Sequence, residues 1–75
     1  MKNFILTMKE GETVLKQIKL TEQVAFDTIR KTFLMTCTAD SADIQAMAVF
    51  SELAIGKPAK GIEYNGKRLI IQNAE

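Results

Sequence analysis

Asn65-Gly66, in the run GIEYNGKRLIIQ, commits the end of this chain to a tight β-hairpin. A two-residue type I′ loop needs positive φ at both central positions, and Asn-Gly meets that demand at least cost. The loop also sets a register. Tyr64 falls opposite Lys67, Glu63 opposite Arg68 and Ile62 opposite Leu69. Glu63 and Arg68 become a favourable cross-strand charge pair, while Ile62, Leu69 and Ile71 share one face. Asn73 to Glu75 are expected to fray.

The other end carries a second hairpin pattern. Residues 2–9 alternate, with Phe4, Leu6 and Met8 on one side and Asn3, Ile5, Thr7 and Lys9 on the other. That is the period-2 signature of a half-buried strand. Thr13 to Leu20 alternates again, grouping Val14, Ile18 and Leu20. A three-residue loop, Glu10-Gly11-Glu12, puts Met8 opposite Val14, Phe4 opposite Ile18 and Lys2 opposite Leu20. It collects the apolar residues on one face, where a one-residue slip would scatter them. Lys16 then lies on the inner face, near an edge where its stem can reach solvent.

Two helical patterns separate the hairpins. Thr21 can cap a helix that starts at Glu22 and reaches Leu34 or Met35, with Ala25, Phe26, Ile29 and Phe33 inward. Asp27, Arg30 and Lys31 fall on its outer side. Asp40 or Ser41 can cap a second helix over residues 42–55, with Asp43 in its first turn. Gly56 suits the position just past its end, and Pro58 prevents continuation. The order β-hairpin–helix–helix–β-hairpin predicts one α+β domain over residues 1–75, an antiparallel sheet with two helices packed on one face. The pattern is compatible with one shared sheet and with hairpins that pair across subunits.

The second helix is the most informative element. Between Ile44 and Ile55 only Gln45, Ser51 and Glu52 are polar. Ile44, Met47, Ala48 and Ile55 can form one stripe, and Ala46, Val49, Phe50 and Leu53 spread well beyond it. A helix apolar nearly all round is expected to be buried nearly all round. A chain of 75 residues buries only about 60% of its unfolded surface and usually needs help from disulfides, metal or association. Cys37 is the single cysteine and there is no histidine, which leaves association. The expectation is a homo-oligomer, most simply a dimer. Its protein interface is expected at Met47, Val49, Phe50 and Leu53, and the same surface can serve another protein.

Gly56 and Gly61 have the G-x-x-x-x-G spacing of a phosphate loop, but Ile62-Glu63 follow in place of Lys-Ser/Thr. A phosphate loop also leaves a strand and opens a helix. This one leaves a helix end, so it reads as punctuation. The net charge is +1; the first 56 residues carry six basic and seven acidic side chains, the last 19 four and two. Lys57, Lys60, Lys67 and Arg68, with Tyr64 as a stacking surface, are therefore the candidate anion-binding set for nucleic acid or an anionic ligand. No metal site, cofactor or catalytic constellation is expected. Histidine is lacking, and the charge nearest to Cys37 in sequence, Asp40, has the wrong sign to activate a thiol. Cys37 is expected to be a buried structural thiol. The start MKNFILTMKEGE is too short in its apolar run for a signal peptide. No stretch approaches a membrane span, and a lone thiol fits a reducing compartment, so the expected location is cytoplasmic.

Overall fold

The computed structural model describes residues 2–74. The elements run β1 (Asn3–Glu10), β2 (Thr13–Thr21), α1 (Glu22–Leu34), α2 (Ala39–Ala54), β3 (Lys60–Tyr64) and β4 (Lys67–Asn73). The two hairpins join one antiparallel sheet in the order β2-β1-β4-β3, with β1 and β4 central. Both helices lie on one face. The core between the layers is built from Phe4 and Leu6, Ala25 and Ile29, Ala46 and Leu53, and Ile62, Leu69 and Ile71. The central strands β1 and β4 supply alternate residues to it, as the period-2 pattern requires, and Ile18 and Leu20 of β2 pack against it half-buried.

The C-terminal hairpin has the register set by Asn65-Gly66, with φ of 46° and 74° at the two turn residues and Ile62 opposite Leu69. The N-terminal hairpin departs from expectation. Its loop is the pair Gly11-Glu12, closed by Glu10 opposite Thr13, and Gly11 alone takes positive φ, at 60°. That is the demand of a type II′ turn, which places glycine at its first central position. Met8 then pairs with Lys16 while Lys9 pairs with Val14, so Leu15 is the extra residue of a β-bulge. The tip shifts the register by one residue and the bulge by another. An even total keeps Ile18 and Leu20 on the core face, now opposite Leu6 and Phe4. Val14 lies between the two shifts, changes face to join Lys9, and is 55% exposed. Lys16 stays on the inner face of the edge strand with its side chain exposed.

The helix starts also differ in one detail. Thr21 takes the extended backbone of an N-cap residue before α1. The second helix begins three residues before the expected boundary, because Thr38 rather than Asp40 or Ser41 is its cap: the Ser41 amide donates to Thr38 Oγ1 at 3.3 Å. Asp40 thereby enters the first turn, where the helix dipole favours an acid. The end is as expected. Gly56 has φ of 87°; its amide donates to the Leu53 carbonyl and the Lys57 amide to the Glu52 carbonyl, the two bonds of a Schellman motif. Asn73 and Ala74 do not fray. Asn73 Nδ2 donates to the Leu53 carbonyl at 2.9 Å and the Ala74 amide to the Asn3 carbonyl at 3.1 Å, tying the end of β4 to α2 and β1. Glu75 lies outside the described residues.

Candidate interaction surface

At 100° per residue, a helix with one buried stripe has a second stripe directly across from it. Ala42, Ala46 and Leu53 are the buried residues of α2, and Val49 and Phe50 pack against the core beside them. Phe50 sits edge-on to Phe4 with ring centroids 5.1 Å apart and tilted against Phe26 at 5.4 Å. Leu53 is 1% exposed. The expected interface at Met47, Val49, Phe50 and Leu53 is therefore corrected for three of its four members: their direction on the helix makes them the attachment of α2 to its own sheet. Met47 alone stands free, 59% exposed.

The outer stripe is the other one visible in the sequence. Ile44, Ala48, Ser51 and Ile55 lie across from the core, with Met47 at their side; Ile44 is 67% exposed and Ile55 75%. The neighbouring helix shows what a solvated outer face looks like in this fold. On α1 the outward positions carry Asp27, Arg30 and Lys31, joined by Lys31 Nζ to Asp27 Oδ2 at 3.0 Å and Arg30 Nη2 to Asp27 Oδ1 at 3.4 Å. Both cations hold the Asp27 carboxyl below the usual carboxylate range, Lys31 most strongly through its hydrogen bond. The charges of α2 stand beside its apolar stripe. Asp43 meets Arg30 of α1 at 3.8 Å, and Glu52 pairs with Lys60 at the start of β3.

The basic set does not converge. Lys60 is engaged by Glu52 at one end of β3, and Tyr64, Lys67 and Arg68 lie at the other, roughly 13 Å away along a strand rising about 3.3 Å per residue. Lys57 follows the end of α2. Arg68 is bound by Glu63 at 2.6 Å. A cleft of about 700 Å³ opens between the two hairpin tips and the turn after α1. Tyr64, Lys67 and Arg68 line it together with Lys9. Sequence reasoning missed Lys9 because only the pairing of β1 with β4 brings it opposite Arg68. All five aromatic rings pack with the core on the helix side, so the open face of the sheet offers no stacking platform. A second, more apolar cleft of about 290 Å³ lies between α1 and the β1–β2 hairpin, lined by Ile18, Leu20 and Val24.

Cys37 is half-buried just before the cap of α2, not enclosed as expected. The Thr36 hydroxyl lies 3.5 Å from its sulfur and Gln45 Nε2 donates to it at 3.1 Å. These contacts, Thr36 first, then Gln45 and Ser41, hold the thiol below the ordinary cysteine range. Among the described residues no group of acids and thiols could hold a metal ion, and no helix is long and apolar enough to cross a membrane. No family model, curated protein or solved structure matches this chain.

Proposed function

We propose that this chain is a small non-enzymatic interaction module of the cytoplasm that self-associates through the outer face of α2 and, so assembled, binds another protein. The observation that carries this is the contrast between the two helices. They occupy the same layer, yet α1 turns an ion-paired face outward and α2 turns out Ile44, Met47, Ala48 and Ile55. Contiguous apolar surface left open on a small domain marks a contact site more often than a solvated one. Sedimentation equilibrium from low to high micromolar concentration tests it. The chain is expected to pass from monomer to a larger species, and Ile44→Glu with Ile55→Glu to hold it monomeric while its circular dichroism is unchanged. A wild-type chain that stays monomeric throughout overturns the reading.

A second reading has its own observation, the cleft where Lys9, Lys67 and Arg68 meet Tyr64. An anionic ligand or nucleic-acid phosphate held there would lose affinity steeply as salt rises, which apolar association through α2 would not. Replacing Lys9 and Lys67 by Gln separates the two, since it abolishes anion binding and spares self-association.

A further inference from the structure

The outer stripe of α2 is complementary to itself when reversed. Set two copies of the helix antiparallel and Ile44 of one meets Ile55 of the other, while Ala48 meets Ser51. Both pairs are centred on the same level, midway between Val49 and Phe50, so one two-fold axis satisfies them together. The small residues fall at the centre, where they let two backbones approach, and the branched residues fall at the ends.

Charge separates this orientation from the parallel one. Asp40, in the first turn of α2, lies about 14 Å from the centre at the rise of about 1.5 Å per residue; Lys57 follows the Schellman cap at the opposite end. Asp43 is already engaged by Arg30, and Glu52 by Lys60. Asp40 and Lys57 are in no ion pair among the described residues. Antiparallel pairing brings each Asp40 to the end at which the partner's Lys57 follows its helix, and opposes the helix dipoles. Parallel pairing would set acid against acid and lysine against lysine. We propose that two copies of this chain pair through antiparallel α2 helices about a two-fold axis over Ala48 and Ser51, closed at each end by Asp40 and the partner's Lys57. This rests on self-association through α2. Two helices of this length cover less than the about 800 Å² per partner of a standard interface, so the pair is concentration-dependent.

Cross-linking tests the orientation. In a Cys37→Ser background, chains carrying Ile44→Cys and chains carrying Ile55→Cys, distinguishable by mass, are mixed and oxidised. The expected product is the mixed 44–55 dimer. Homodimers linked 44–44 and 55–55 overturn the antiparallel pair and leave self-association through α2 standing. A dimer in sedimentation that cross-links at neither position overturns this surface, and a monomer at high micromolar concentration overturns the parent reading as well. Charge exchange is the second measurement. Asp40→Lys and Lys57→Asp should each weaken the dimer about fivefold, since two exposed pairs are reversed at once. The double exchange should return it to within about twofold of wild type, the residual expected of a restored exposed pair. Failure of the double exchange to recover overturns the closing ion pairs.

Discussion

Leu53 and Ile44 are nine positions apart on α2 and should respond to the same substitution to very different degrees. Leu53 is 1% exposed, in one cluster with Ile62, Leu69 and Ile71. Truncation to alanine removes buried methyl groups and leaves a cavity between helix and sheet, a loss of about 2–5 kcal/mol. A chain of 75 residues has only about 4–11 kcal/mol of stability to lose, at about 0.05–0.15 kcal/mol per residue. Leu53→Ala should therefore remove from about a fifth of it to all of it. Ile44 already exposes 67% of its surface. Its truncation forfeits a small burial term and gains a few tenths of a kcal/mol of helix propensity, so the net change should stay within about 0.5 kcal/mol of zero.

Urea unfolding followed by circular dichroism at low micromolar concentration, where the proposed pair is expected to dissociate, measures both. Repeating it at high concentration adds the association. There Ile44→Ala should fall below wild type, because pairing stabilises only the folded chain and the variant pairs more weakly. Leu53→Ala should lose about the same amount at both concentrations. If dilute Ile44→Ala costs more than about 1.5 kcal/mol, or Leu53→Ala less than about 1, on the scale that separates core from surface substitutions, the helix is turned the other way.

Two further outcomes follow from single residues. Gly56→Ala places a Cβ at φ of 87° with open space around it, so only backbone strain acts and about 1–2 kcal/mol should be lost in the same unfolding assay. The Cys37 thiol should react with iodoacetamide at a lower pH than an unfolded-chain cysteine, because Thr36, Gln45 and Ser41 favour its thiolate. Gln45→Leu removes one of those donors, so the midpoint of the alkylation profile should move up. A depressed folded-state value also means that the thiolate's share of stability is present above the unfolded thiol's pKa and fades as pH falls through the folded value. A midpoint that does not move would show that Gln45 leaves the sulfur unaffected.

The fold was legible where local chemistry dictates backbone. Asn65-Gly66 could form little else than a tight turn, and Gly56 with Pro58 could only end a helix. The bulge at Leu15 was not legible, because Thr13-Val14-Leu15-Lys16 is a short run in which a skipped residue costs no visible apolar match. The register of β2 on β1, set by the tip and the bulge together, decides which residues of β2 end up inside. The site was half legible. Both stripes of α2 could be read from spacing, but spacing cannot say which one faces the sheet. One signal in the sequence bears on that choice: small Ala42 and Ala46 flank the larger Val49, Phe50 and Leu53 on one side, the graded sizes of a helix lying close on a sheet. The stripe through Ile44 and Ile55 has large residues at its ends and small ones at its middle, the profile of two helices that cross.

Sheet edges offer an open route to association, and here both are blunted. β3 is five residues long, and Lys60 at its start is held by Glu52. β2 is longer, but the bulge at Leu15 breaks its pairing line, and Lys16 and Lys19 project from its two faces with no acid on the strand to offset them. Lysines, bulges and short edge strands are the devices by which natural sheets avoid stray strand pairing. No such device protects the outer face of α2, which has neither lysine nor arginine between Ala39 and Ala54. Guarded edges beside one apolar helix favour the helix layer as the place of the proposed association. The same reasoning forecasts the cost of removing the guard. Lys16→Val and Lys19→Val together should turn the proposed discrete, reversible dimer into species that grow with time, read by light scattering at constant concentration. If the double variant stays discrete, the lysines of β2 are not what keeps the edge unpaired, and the bulge alone suffices.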